Sequence, residues 1–292
     1  MTERIILKLK HSLITLSLFA APIWAANDWF LEQTSLTNAH KFLLEGHLEE
    51  SFDAMIQTWQ KEPQQHIESH LDQLLLKALD KDCGRSFDNS KLPTWLNKLA
   101  IQRQVIQSPG RLSYRLEIDA QTDRELEQIL FLQWPEQVLM SNVDTPEKVD
   151  DKYWQYRQQT DLNAQLDAGL YKVKIKTSLG EEWESWILLT HPNSKQTVRW
   201  SSKESWVVDK TALLNRYCPL PVMDVALYGD VDGDYTEVWS KQYESDYPSQ
   251  VPKTQLPIDR YLLGVSITHK RWQGAIAIED KQVINKAFDI SE

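Results

Sequence analysis

The sequence predicts a multidomain α+β protein, with a helical domain over residues 26–107 followed by two antiparallel β-sandwich domains over 108–203 and 204–292. Three observations carry this reading. Apolar residues recur every three or four positions through the first region, the period of a one-sided helix. The period changes to two after Ser108-Pro109-Gly110, and a further alternating region opens near Val222. With 292 residues, 41% apolar and 25% charged, the chain is long enough for two or three units that each close a core.

The N-terminus reads as an export leader. Arg4, Lys8 and Lys10 precede the apolar stretch from Leu13 to Ala21; Pro22 breaks it, and Ala25-Ala26 offers a small residue for cleavage. The expected signal peptide is 1–25, and its apolar core is too short to span a bilayer. No later apolar run reaches the length of a membrane helix, so no transmembrane segment is expected after cleavage. The expected location is the periplasm or the outside of the cell. An oxidising compartment lets Cys83 and Cys218 pair, tying the end of the helical region to the start of the last one.

In the helical region, Ala39, Phe42 and Leu43 form one stripe, and Leu48, Phe52, Met55, Ile56 and Trp59 a second. Ser35 or Thr37 can cap the first helix, Gly46 interrupts, and Pro63 ends the second. His66 to Asp80 forms a third helix with Leu71, Leu74, Leu75 and Leu79, and Leu92 to Ile106 is expected as another. The spacing of Ala39, Phe42, Gly46, Leu48, Ser51, Met55 and Pro63 resembles a single tetratricopeptide repeat, although Ser35 and Asn38 stand where that motif has Trp and Leu. The pattern does not recur, so a small helical domain is expected and not an array.

Arg111 to Asp119 alternates strictly, with Leu112, Tyr114, Leu116 and Ile118 on one face. Leu126 to Trp134, Tyr171 to Lys176 and Trp183 to Thr190 supply further strands. The approach Asp167-Ala168-Gly169-Leu170-Tyr171 resembles the tyrosine corner of immunoglobulin-like sandwiches, so an immunoglobulin-like sandwich lacking a disulfide is expected. Val222–Tyr228, Tyr235–Ser240, Tyr261–His269 and Gly274–Ile278 are the strands expected of the second sandwich.

The 32 basic against 42 acidic side chains leave a net charge of −10, which repels phosphate backbones and excludes nucleic acid as a natural partner. His66 and His70 stand one helical turn apart and can chelate a metal, but Ile67 occupies the place of a zincin's glutamate, and a solvated helix face explains them. Asp230, Asp232 and Asp234 space three carboxylates as calcium loops do, yet Tyr235 and Lys241 break the EF-hand pattern, and a hairpin turn accounts for them. No cofactor, metal or catalytic motif is expected, and the chain is read as a non-enzyme. Twelve Trp make exposed rings the natural binding candidates; Trp183, Trp186, Trp239 and Trp272 are the four singled out.

Asn27-Asp28-Trp29-Phe30, Ala39-His40 with Phe42-Leu43-Leu44, Ser51-Phe52 with Ala54-Met55, and Leu256-Pro257-Ile258-Asp259-Arg260-Tyr261 make the chain similar to an uncharacterised family of exported gammaproteobacterial proteins. Some members are encoded beside sensors of envelope stress, so the resemblance implies a periplasmic accessory with a link to envelope sensing. The function expected is therefore non-enzymatic binding of a protein or peptide in the cell envelope. The alternative is binding of cell-wall or other polysaccharide through exposed Trp.

Overall fold

In a computed structural model, the described residues are 34–61, 64–87, 91–192, 194–231, 233–253 and 256–290. The leader expected at 1–25 lies outside them. Three helices come first: α1 (Ser35–Glu45), α2 (Leu48–Lys61) and α3 (Gln64–Asp82). Fourteen strands follow among the described residues: β1 (Leu96–Ser108), β2 (Arg111–Thr122), β3 (Leu126–Gln133), β4 (Gln137–Met140), β5 (Glu147–Lys148), β6 (Trp154–Leu162), β7 (Gly169–Thr177), β8 (Glu182–Leu189), β9 (Gln196–Trp200), β10 (Trp206–Lys210), β11 (Val222–Val231), β12 (Asp234–Tyr243), β13 (Arg260–Gln273) and β14 (Ile276–Asp289).

Helix α1 starts where Thr34 and Thr37 close a reciprocal capping box, so the cap is Thr34 and neither Ser35 nor Thr37. Gly46, at φ 82, ends it in the left-handed region. The Ser51 hydroxyl donates to Ala39 O at 2.7 Å and locks α1 to α2.

The expected tetratricopeptide-like domain and two immunoglobulin-like sandwiches do not hold. The protein is mostly β, and its main element is an eight-stranded sheet of order β12-β11-β13-β14-β1-β2-β6-β5. Its centre is a parallel pair, β1 with β14, in which Ile101 lies beside Ile278 and Arg103 beside Asp280. That pair joins strands from both supposed sandwiches in one sheet. A smaller sheet, β4-β3-β7-β8, and the hairpin β9-β10 pack on it.

The helices do not form a separate domain either. Their buried side chains, among them Phe52, Met55, Trp59, Leu71 and Leu74, share a core with Leu170 of β7 and Leu188 of β8. The opposite face of those strands, with Tyr171, Val173, Ile175, Ile187 and Leu189, packs on Ile101, Leu116 and Ile118 of the large sheet. The four-stranded sheet is thus a middle layer between helices and large sheet, apolar on the large-sheet side and, on the helix side, at Leu170, Trp186 and Leu188, beyond which Lys172 and Lys174 pair with Glu184.

Leu92 to Ile106, expected as a helix, yields β1. Its register shifts between Leu96 and Lys98, a bulge that changes the phase of the alternation. Leu96, Leu99 and Ala100 consequently fall at helix-like spacing although the backbone is extended. One local reading stands within the altered fold, since Tyr171 Oη donates to Asp167 O at 3.0 Å; Tyr261 Oη makes the same bond to Pro257 O at 3.0 Å, which the sequence reading did not single out. Each tyrosine braces the entry to its strand, yet this local device does not specify a sandwich topology.

Candidate functional site

Along β14 the residues on one face are Ile276, Ile278, Asp280, Gln282 and Ile284. The first two belong to the core under the four-stranded sheet and the last to the core under β9-β10. Asp280 and Gln282 therefore mark a polar belt between two apolar cores on the same face. Register places His269 of β13 and Arg103 of β1 directly beside Asp280, and Arg271 and Gln273 follow His269 on that face.

Most of the belt ties the smaller sheets to the larger one. Gln282 Nε2 donates to Val198 O at 3.1 Å and its Oε1 accepts from Val198 N at 2.9 Å. Gln273 does the same for β8, accepting from Leu188 N at 3.1 Å and donating to Trp186 O at 2.5 Å. Arg271 Nη2 donates to Leu188 O at 2.6 Å, and Arg103 Nη1 donates to Thr190 O at 2.8 Å. Side chains thus occupy outward backbone groups of β8 and β9 that would otherwise be open edges.

The belt ends at a cavity. β11 begins at Val222, opposite Thr268, so β13 from His269 onward has no β11 neighbour. The end of α3 takes that place: Trp272 N donates to Cys83 O at 2.9 Å and Gly274 N donates to Gly84 O at 3.0 Å. Helix α3 stops there because Cys83 (φ 62) and Gly84 (φ 81) turn left-handed. Asp82 then accepts from Gly84 N at 2.9 Å and Ser86 N at 2.8 Å. Leu79 O, which already accepts from Cys83 N at 2.9 Å, also accepts from Asn215 Nδ2 at 2.8 Å, tying the 214–221 loop to the last helical turn. Cys218 is bonded to Cys83, with Cα atoms 5.1 Å apart. Between α3, the 214–221 loop and β13 lies a cavity of about 280 Å³.

Leu76, Leu79 and Pro219 give this cavity apolar walls, while Lys195, His269 and Arg271 give it a basic side. Both ring nitrogens of His269, and Nε and Nη1 of Arg271, are out of contact with solvent and have no hydrogen-bond partner among the described residues. Asp280 is already engaged by Arg103, whose Nε and Nη2 reach its Oδ1 at 2.7 and 2.6 Å. Burial pushes the His269 imidazole below its ordinary value, against the pull of Asp280 and with the help of Lys195. Burial also lowers the Arg271 guanidinium to about 10, opposed by Asp280 and reinforced by Arg103; the group is still charged at neutral pH. The arrangement can attract and orient an anionic group.

The residues singled out from sequence are placed as follows. Trp183 and Trp186 do lie on opposite faces of β8, but both faces are covered. Trp183 packs toward the inter-sheet core and donates from Nε1 to Lys91 O at 3.0 Å. Trp186 packs toward the helices, edge-on to Trp134 at 5.4 Å, with Lys172 Nζ 4.1 Å from its ring centre. Trp239 lies against the core under β9-β10. Trp272 has Arg85 and Lys270 at 4.7 and 4.8 Å from its ring. These four rings are dispersed over different layers and do not form one aromatic platform.

Asp230 and Asp234 flank the β11–β12 turn, where Asp230 Oδ1 accepts from Gly233 N at 2.8 Å; Asp232 lies outside the described residues. His70 is exposed on α3, and the side chain of His66 lies outside the described residues. Among the described residues, no cluster of three His, Cys, Asp or Glu could hold a metal ion. Nor is any described helix long and apolar enough to cross a membrane.

His269 and Arg271 were missed by motif reading, yet a signal for them exists. Continuing the alternation of Val265 and Ile267 puts both on the core-facing side of their strand, where a basic residue needs a partner. A search of the curated proteins finds no match for this sequence. The family model described as Protein of unknown function (DUF2861) matches residues 29–289, a span that takes in all three helices, the β1–β14 pair and every residue lining the cavity. The chain belongs to that family.

Proposed function

We propose that this is a non-catalytic binding protein of the cell envelope, exported to the periplasm, which holds a protein or peptide segment at the cavity between α3, the 214–221 loop and β13. The observation that carries the reading is the pairing of apolar walls with basic side chains of which both His269 ring nitrogens and Arg271 Nε and Nη1 find no hydrogen-bond partner among the described residues. The one sulfur beside them, that of Cys218, is locked in the disulfide and is no free nucleophile. The leader pattern and the bonded cysteines support an oxidising compartment.

Selection of a random peptide library on the disulfide-intact chain tests this, followed by thermal unfolding with the enriched peptides. A peptide present at one hundred times its dissociation constant should stabilise the chain by about 2.7 kcal/mol. The reading fails if no peptide is enriched. If polysaccharide or peptidoglycan fragments alone raise the unfolding temperature, the carbohydrate alternative replaces it.

A further inference from the structure

The cavity has an imbalance of charge that narrows the chemistry of its occupant. Arg271 and Lys195 line the cavity with one half-buried carboxylate, Asp280, and the latter's Oδ1 is already engaged by Arg103 through a hydrogen bond from Nε and an ion-pair contact with Nη2. Lys270, also at the cavity, is paired with Glu279 at 3.3 Å. Asp80 stands at the solvent-exposed side of α3 and is not held against the guanidinium. Arg271 spends Nη2 on Leu188 O and leaves Nε and Nη1 buried with no acceptor among the described residues. A buried cation without its counter-charge is costly, so a bound anion relieves a cost that the folded chain otherwise bears.

We propose that the cavity recognises a carboxylate carried on a short aliphatic stem. The carboxylate is the counter-charge for Arg271 and Lys195, and the stem lies against Leu76, Leu79 and Pro219. Arginine suits this task because its planar fork matches a carboxylate with two parallel bonds. The open donors are out of contact with solvent, so binding requires the Arg271 side chain to turn them toward the cavity it lines. At about 280 Å³ the space is just below the ~300–1,000 Å³ usual for small-molecule pockets, which suits a single branched aliphatic group. The chemistry is shared by a peptide ending in an apolar residue with a free C-terminus and by a small branched aliphatic acid. The first source deepens the peptide reading above and rests on it.

Calorimetric titration separates the cases. The probes are N-acetyl-Ala-Ala-Leu with a free or an amidated C-terminus, and 4-methylpentanoate beside 4-methylpentanamide. The free acids should bind at least about tenfold more tightly than their amides. R271Q and K195E should each weaken the acids by about tenfold or more and leave the amides unchanged. K195E lies outside the hydrogen-bonded belt, so it keeps the test open if R271Q fails to fold. Binding of the small acid alone supports the carboxylate site and removes the peptide reading. Equal binding of acid and amide, insensitivity to both variants, or no binding of any acid at millimolar concentration overturns the carboxylate site. Equal binding of both peptides would leave the peptide reading standing.

Discussion

Arg103 and Asp280 stand side by side across the parallel β1–β14 pair, joined at one carboxylate oxygen by a hydrogen bond from Nε at 2.7 Å and an ion-pair contact with Nη2 at 2.6 Å. The Arg103 side chain is 5% exposed and that of Asp280 22%, so solvent does little to screen the pair. Arg103 also holds Thr190 O, just past the end of β8, and through it the smaller sheet. Replacing Arg103 by Met leaves Asp280 beside a gap and Thr190 O without its donor. Loss of a buried partner of this kind costs about 3–5 kcal/mol. Urea unfolding of R103M should show a loss in that range; a loss like that of an exposed substitution would mean the pair is solvated.

Gly84 gives a sharper steric test. A Cβ at that position would lie 2.0 Å from Trp272 O, and the residue's φ is +81. The left-handed conformation alone costs a residue with a side chain about 1–2 kcal/mol. Gly110, at φ +73, has open space around a Cβ and serves as the control. G84A should therefore destabilise clearly more than G110A in chemical denaturation. Equal effects would show that α3 is not seated against β13 as described.

The disulfide closes a loop of 135 residues, for which chain entropy gives about 5 kcal/mol. Thiol reduction should lower the urea midpoint accordingly. It should also expose the α3 terminus to hydrogen exchange before the β1–β14 pair, since that pair is held by its own ladder and not through the disulfide. Uniform exchange on reduction would contradict this.

His269 makes stability depend on pH with a definite sign. Its folded pKa lies below 6.5 because it is buried, Lys195 adding to the effect; Asp280 opposes it, and Arg103 and Arg271 are the other charges close by. Below about pH 6.5 the unfolded chain takes up a proton that the folded chain refuses, so stability falls from there down to the folded pKa. H269Q should flatten the fall in unfolding temperature between pH 7 and pH 5. His40, also lowered by burial, contributes a fall of the same sign that persists in the variant. An unchanged slope would refute the assignment to His269.

Much of the local structure could be read directly from residue order. The three helices and the strands beginning at Arg111 and Val222 follow from periodicity, because a helix or strand must place its apolar residues on one side wherever it packs, and the strand at Leu126 follows from a continuous apolar run. Trp183 and Trp186 were legible as opposite-facing for the same reason. That both faces would be covered was not, because the helices that cover one of them are distant in the chain. β1 was hidden by its bulge and by Arg103, a charged residue on a core face.

The linear pattern established a helical start, a long β remainder and a pair of cysteines able to bond. Tertiary structure alone decided that β1 and β14, nearly two hundred residues apart, lie side by side and merge two apparent modules into one sheet. It also decided that His269 and Arg271 meet a cavity. Periodicity reports which side of an element is buried, a local property of the backbone. It carries no information about which distant strand supplies the neighbour, since many apolar edges can satisfy the same alternation. The basic groups acquired their meaning only when that pairing brought them beside Asp280 and the end of α3.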